Sequence, residues 1–358
     1  MKKLLFATCC IAFLSGSLGA AAQKKSVAKN VLTQTLNGKS WSADNGNGTF
    51  TNPLFYDEFS DPDIIRVGED YYLAGTTMHS VPGLVVLHSK DLVNWEFSSY
   101  CFDRFDDSDD FNLRNGKEAY GQGIWAPAIR YHNGKFYIFS NINGHGLQVY
   151  ISDSAKGPWT HHKVNGDIYD LSVLFDEDGK IYAVHKYGNV TVTELKPDLS
   201  GPVEGSSKVV IPEGNAMGEG HHVYKINGMY YILSADYSPM GRMQCARSKS
   251  IWGPYETCVI SERESYGYAA GWSVGNMGIG RPLPEDGFSF QNNKPNGLNL
   301  GCATIHQGGI VQAPDGKWWG VSMQDFNAVG RTVCLSPITW VDGWPYFGSV
   351  SYTHLRAH

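Results

Sequence analysis

The sequence predicts an all-β chain folded as a five-bladed propeller, and three observations carry that reading. A fifteen-residue frame recurs five times: DPDIIRVGEDYYLAG from Asp61, WAPAIRYHNGKFYIF from Trp125, DLSVLFDEDGKIYAV from Asp170, EGHHVYKINGMYYIL from Glu219 and QGGIVQAPDGKWWGV from Gln307. Each frame is followed by a further strand-like run and a Ser- or Pro-marked turn, as in SKDLVNW (89–95), SDSAKGPW (152–159) and SKSIWGPY (248–255). No stretch sustains the 3.6-residue period of an amphipathic helix. Units of roughly 45 residues with four short strands each are propeller blades.

Taken in order, residues 1–22 stand outside this pattern. Lys2 and Lys3 precede an apolar run too short to span a bilayer, and Ala20-Ala21-Ala22 closes it with an A-x-A cleavage pattern. This is expected to be a signal peptide directing export to a periplasm or the medium. A membrane anchor and acylation at Cys9 or Cys10 are the weaker alternatives. Residues 23–52 are polar and rich in Gly and Asn, a leader into the first strand.

The propeller is expected over 53–347. In every frame the fifth position is aliphatic (Ile65, Ile129, Leu174, Val223, Val311). In four of the five the tenth is glycine (Gly134, Gly179, Gly228, Gly316), whereas the first copy turns at Gly68-Glu69-Asp70. Asn227-Gly228 between two apolar runs is the strongest short hairpin signal in the chain, because both residues accept the positive φ of a type I′ turn. Frame starts are separated by 64, 45, 49 and 88 residues, which implies loop insertions near 100–122 and 262–303. Residues 348–358, ending THLRAH, fit no blade strand and read as an irregular, truncated tail.

Composition restricts the function class. Aromatic residues at 13% and 41 glycines suit many turns and half-buried strands, and a net charge of −6 gives no reason to expect nucleic acid or an anionic membrane as partner. Beyond residue 22 the cysteines are Cys101, Cys245, Cys258, Cys302 and Cys334, an odd number, so this is no disulfide scaffold. Cys245 and Cys258 flank one turn and are expected as buried thiols.

The first position of the frame differs in kind from the rest: Asp61, Trp125, Asp170, Glu219, Gln307. The first strand of a blade lines the propeller axis, so these residues would ring one pocket. Three carboxylates near a crowded axis cost desolvation energy unless they are paired or used. Three such carboxylates with a tryptophan beside them are hard to explain by folding alone. The bland alternative is strand capping or a structural cation. Asp63 shares a strand face with Asp61 and is the alternative base. Asp176, Glu177 and Asp178 are expected to be solvated in a hairpin turn. His221 and His222 follow Glu219, and alternation turns one to the axis as a hydrogen-bonded structural histidine or a substrate contact.

The sequence resembles glycoside hydrolase family 43, the five-bladed β-xylosidases and α-L-arabinofuranosidases. The marks are FSDPDII at Asp61, GIWAPAI at Trp125, YDLSVLFDEDG at Asp170, GEGHHVYKINGMYY at Glu219, IHQGGIV at His306 and VGRTV at Arg331, in that order. The resemblance implies an inverting hydrolase with Asp61 as general base, Glu219 as general acid and Asp170 holding and tuning that acid. Trp125 and Arg331 would line the sugar subsite, with Met78 as an apolar wall and His222 as a further contact. No cofactor is implied. Relatives carry a Gly-His-Gly-Ser type run that helps hold a central cation. Here His306-Gln307-Gly308-Gly309 stands there, so His306 is the candidate ligand for an axial Ca²⁺. Xylosidase relatives often place phenylalanine where Met78 stands. Many also continue into a C-terminal β-sandwich. The expected substrates are xylan- or arabinoxylan-derived oligosaccharides. The competing functions are a non-catalytic glycan-binding propeller and a furanosidase of another propeller family.

Overall fold

The computed structural model describes residues 41–105, 108–120, 122–215, 217–237, 240–261, 307–325 and 331–348. From Ala43 onward these form one compact unit that is all strand, with no helix among the described residues. Twenty strands make five four-stranded antiparallel sheets, each continuous in sequence. Blade 1 holds β1 (Ser60–Val67), β2 (Asp70–Thr76), β3 (Gly83–Ser89) and β4 (Trp95–Phe102). Blade 2 holds β5 (Ile124–His132), β6 (Lys135–Ile142), β7 (Gly146–Ser152) and β8 (Thr160–Lys163). Blade 3 holds β9 (Ser172–Phe175), β10 (Ile181–His185), β11 (Val190–Leu195) and β12 (Lys208–Ile211). Blade 4 holds β13 (Glu219–Ile226), β14 (Met229–Tyr237), β15 (Met240–Ser248) and β16 (Glu256–Val259). Blade 5 holds β17 (Ile310–Gln312), β18 (Trp318–Asp325), β19 (Arg331–Val341) and β20 (Trp344–Phe347). The five-bladed expectation is met. In blades 2 to 5 the outermost strand is only four residues long, which leaves little open edge for another chain to pair with.

The hydrophobic core lies between blades. Five clusters of buried residues fill the five interfaces, for example Ala74, Leu84 and Val86 of blade 1 against Ile129, Phe136 and Ile138 of blade 2. The aliphatic fifth positions of the frame all contribute to these interfaces. Among the described residues no strand is exchanged between the first and last blades. The segment just before β1 bridges the two blades. Leu54 N donates to Val333 O and Phe59 N to Arg331 O, both at 2.8 Å, along the part of β19 that β20 does not cover. The Asn52 side chain both donates to Leu335 O and accepts from Leu335 N at 2.9 Å. Leu54 and Phe59 enter the blade 5–blade 1 cluster with Leu73, Val311 and Val333.

The strand starts break the simple repeat. A bulge opens directly after Ser60 in β1, Ile124 in β5 and Glu219 in β13. Left-handed backbone sits at Asp61 (φ 52°), Asp170 (φ 50°), Gly220 (φ 67°) and Gln307 (φ 45°). Gly220, not Glu219, is therefore level with Asp61 and Asp170, and Glu219 stands one residue earlier on its strand. This corrects the frame, in which the three carboxylates held equivalent positions. Asp170 and Gln307 keep the left-handed first position of Asp61, so the copy out of step is that of Glu219.

A second correction concerns Asp176. It is buried rather than solvated: Lys225 Nζ lies 2.7 Å from Oδ1 and the Tyr230 hydroxyl donates to Oδ2 at 2.5 Å. Both partners come from blade 4, so this turn carboxylate pins blade 3 to blade 4. Cys101, Cys245 and Cys258 are free, although Cys245 and Cys258 are direct cross-strand neighbours. Cys302, the insertion at 262–303, the signal segment and the tail lie outside the described residues.

Candidate active site

Beneath the strand starts, the axis is filled by an ion cluster. Asp63 is fully buried. Its carboxylate accepts from Ile64 N at 3.0 Å and Ile129 N at 2.9 Å, and takes Arg130 Nη1 at 2.5 Å and His222 Nδ1 at 3.0 Å. A carboxylate only accepts, so Nδ1 of His222 carries the proton. Burial raises the Asp63 pKa, but the charges and hydrogen bonds of Arg130 and His222 outweigh it and leave the group below the usual carboxylate range. Arg130 Nη2 also donates to Ser172 Oγ at 2.5 Å, and Ser172 Oγ accepts from Val223 N at 3.0 Å. Four blades thus meet at one level. With about four acceptor sites per carboxylate, Asp63 is saturated. It is neither a base open to substrate nor a ligand with room for a cation.

The open layer lies above. Asp61 Oδ2 accepts from Ser60 Oγ at 2.7 Å, Ser60 Oγ accepts from Arg331 Nη1 at 2.9 Å, and the same Nη1 is 3.4 Å from Asp61 Oδ1. Arg331 thereby sets a positive charge beside Asp61 across the closure of the ring. A left-handed aspartate costs about 1–2 kcal/mol relative to ordinary backbone, less than most residues because its short side chain tolerates this region. Holding both Asp61 and Asp170 there is what turns their carboxylates out of the strand alternation.

Asp170 is buried. Gly220 N donates to its Oδ2 at 2.7 Å, and its own N–H donates to Asn141 Oδ1 of blade 2 at 3.0 Å. Asn141 is itself oriented by donating to Ile168 O at 2.8 Å. Burial first, then the charges of Glu219 and Asp61, push the Asp170 carboxyl up to about 8, against the Gly220 bond and Arg331. The bond from Gly220 N to Asp170 and that from the Tyr169 hydroxyl to Glu219 hold these two carboxyl groups together where blades 3 and 4 meet, and Asp61 is near enough for its charge to act on Asp170. Glu219 is half-buried, its Oε2 accepts from the Tyr169 hydroxyl at 3.0 Å, and its carbonyl accepts from Ser234 Oγ at 3.1 Å. The Tyr169 hydroxyl is held far above its ordinary pKa by burial and by Glu219, so it remains a donor.

Trp125 and Met78 lie together beside this cluster. Met78 bridges to Ile124, whose N–H donates to Met78 O at 3.0 Å, and both Trp125 and Met78 line one cavity. Gly123 lets the indole lie against the backbone, since a Cβ there would sit 2.1 Å from the ring. His222 is drawn to Asp63, one layer down. His221 is also buried, with Nε2 against Lys186 O at 2.7 Å, and burial pushes it down to about 4. His306 lies outside the described residues. Among those described there is no group of three or more His, Cys, Asp or Glu able to hold a metal.

Sequence reasoning missed Tyr169, Ser60, Asn141 and Gly220. Strict alternation turns Tyr169 away from Asp170, and only the left-handed kink at Asp170 lets both face the cluster. Ser60 gave one usable signal, its position directly before Asp61.

Known proteins resemble this chain in sequence and fold. The sequence model of glycosyl hydrolases family 43 matches residues 50–267. A non-reducing end α-L-arabinofuranosidase of Bacteroides ovatus is 34% identical over 316 residues, 84% of this chain and 54% of that protein. A β-xylosidase of Formosa agariphila is 30% identical over 349 residues, 86% of this chain and 52% of that protein. Among solved structures, a bifunctional GH43-CE protein of Bacteroides eggerthii superposes with a TM-score of 0.69 at 33% identity, over 84% of this chain and 35% of that one. The chain spans about half the length of the two enzymes it matches in sequence. With more than half of its length matched by the family model, the chain belongs to glycosyl hydrolases family 43.

Proposed function

We propose that the chain is an inverting glycoside hydrolase that releases xylose or arabinose from the non-reducing ends of xylan- or arabinoxylan-derived oligosaccharides. The observation that carries the reading is the convergence of Asp61, Asp170 and Glu219, with Asp170 pushed up to about 8 by burial and by the other two carboxylates. Burial and like charge keep one proton on the Asp170–Glu219 pair near neutral pH. Glu219 delivers that proton to the glycosidic oxygen. Tyr169 occupies Oε2 of Glu219 and so leaves the transferable proton to Oε1. Asp61, with Ser60 and Arg331 against its carboxylate, removes a proton from the water that attacks the anomeric carbon from the opposite side. Asp170 exchanges no proton with substrate; its bond from Gly220 N fixes the backbone that carries Glu219. Trp125 supplies a flat apolar face for the sugar ring and Met78 an adaptable wall. The relatives' names support a pentose substrate of either ring form. No step needs a cofactor, and residues 1–22 are read as an export signal.

The test uses nitrophenyl glycosides of β-D-xylopyranose, α-L-arabinofuranose and α-L-arabinopyranose beside the natural oligosaccharides. Asp61→Asn should abolish turnover of all of them. Glu219→Gln should cripple the oligosaccharides and spare the nitrophenyl glycosides, because nitrophenolate leaves without protonation. A wild-type protein that binds these sugars and releases none is a glycan-binding propeller, and the hydrolase reading falls.

A further inference from the structure

A second recess leads outward from Trp125 over blade 1. It is a cavity of about 790 Å³, bounded by Phe55 and Phe59 of the segment before β1, Met78 and His79 of the β2–β3 turn, and Trp95 and Tyr100 at its outer end. Asp61, Asp170 and Glu219 are not in its lining, and the recess shares Trp125 and Met78 with the sugar site. The volume is at the upper end of the roughly 300–1,000 Å³ of small-molecule sites, more than one monosaccharide requires.

Its chemistry is specific. The lining combines aromatic residues with the aliphatic Val85 and Leu87, the hydroxyl residues Thr77 and Ser80 and the acidic Asp57 and Glu58, and among the described residues it holds no lysine or arginine. Tyr120 also lines it, 78% exposed, with its ring 4.8 Å from that of His79. Tyr100 is 38% exposed and stands 4.9 Å from the ring of Phe97, itself 58% exposed. One exposed ring is ordinary, but two in the lining of one cavity, Tyr100 and Tyr120, mark a binding surface. Flat rings match the apolar C–H faces of sugars, and hydroxyls and carboxylates match sugar hydroxyls. Two carboxylates without a counter-cation repel a uronate.

We infer that this recess is a remote subsite that holds further neutral pentose units of the substrate, leading away from the unit cleaved at the carboxylates, and that it refuses uronate-bearing chains. The inference rests on the hydrolase reading. Binding energy from such distant units is available to raise kcat/KM on oligomers above that on a single-sugar substrate.

The test compares wild type with Tyr120→Ala and Tyr100→Ala on a β-1,4-linked xylose tetramer, an arabinose tetramer and the corresponding nitrophenyl monosaccharides. The expected result is a fall of about tenfold in the tetramer-to-monosaccharide ratio of kcat/KM. An unchanged ratio in both variants overturns the subsite while leaving the hydrolase reading intact. Direct binding separates the two ideas if wild type proves inactive. Tetramer titration should change tryptophan fluorescence in wild type, and the change should weaken about tenfold in Tyr120→Ala. Absent or equal responses overturn the subsite. Equal affinity of wild type for the xylose tetramer and its uronate-substituted form overturns the charge selection.

Discussion

The backbone amide of Gly220 donates to Oδ2 of Asp170 at 2.7 Å, joining blade 4 to blade 3 at the residue that follows Glu219. This one bond couples the placement of the Glu219 main chain to a buried carboxylate on the neighbouring blade. Gly220 has φ 67°, and a Cβ there would stand 2.6 Å from the Gln307 side chain. Gly220→Ala is therefore expected to cost about 1–3 kcal/mol of stability and to lower kcat more than a hundredfold, by tilting Glu219 away. Thermal melts and kinetics on the same preparation check both. An active variant of normal kcat would mean that the Gly220–Asp170 bond positions nothing.

Tyr169→Phe removes the hydrogen bond to Glu219 Oε2 without changing the shape of the ring. A hydroxyl that donates to a carboxylate favours its ionised form, so its loss makes Glu219 harder to deprotonate. The basic limb of the pH–rate profile should move up, and kcat on oligosaccharides should fall about fivefold to tenfold. A shift to lower pH would contradict the donor role.

Asp170 also gives a stability signature with a definite sign. Its folded-state pKa is raised from 3.8 to about 8, so between those values the folded chain holds a proton that the unfolded chain has lost. Stability then falls as pH rises through that window. Asp170→Asn lacks the titration. Its denaturant midpoint should gain on wild type from pH 5 to pH 8.5, the gain reaching up to a few kcal/mol and levelling off above pH 8. A gap between the two proteins that does not change with pH would remove the proposed burden on Asp170.

Asp176→Ala should separate structure from chemistry. It strips an acceptor from Lys225 and Tyr230 at the blade 3–blade 4 contact, and the expected cost is about 2–4 kcal/mol. The melting temperature should drop while kcat per folded molecule, measured well below it, stays near wild type.

How much of this was legible depended on how far each feature is written in local pattern. The five-fold repeat appears as period-two alternation closed by turns such as Asn227-Gly228, and such signals are short-range. Asp61, Asp170 and Glu219 could be gathered because the propeller places every inner-strand start on one axis. The one-residue offset of Glu219 was hidden, because bulges and left-handed residues interrupt the alternation at the strand starts. The same kink concealed Tyr169. Asp176 sits in a turn rich in acidic residues, and nothing local shows that Lys225 and Tyr230 reach it from another blade. Arg130 was equally silent, since its partners Asp63 and Ser172 belong to blades 1 and 3.

The central claim, that Asp61 and Glu219 act from opposite sides of the anomeric carbon, is tested most directly by the configuration of the first product. Proton NMR of a pentose oligosaccharide during its first minutes of hydrolysis, before mutarotation, reads the anomeric signal of the released sugar. The account predicts the configuration opposite to that of the cleaved linkage. Release of the same configuration would mean a covalent intermediate and would contradict the roles given to both carboxylates.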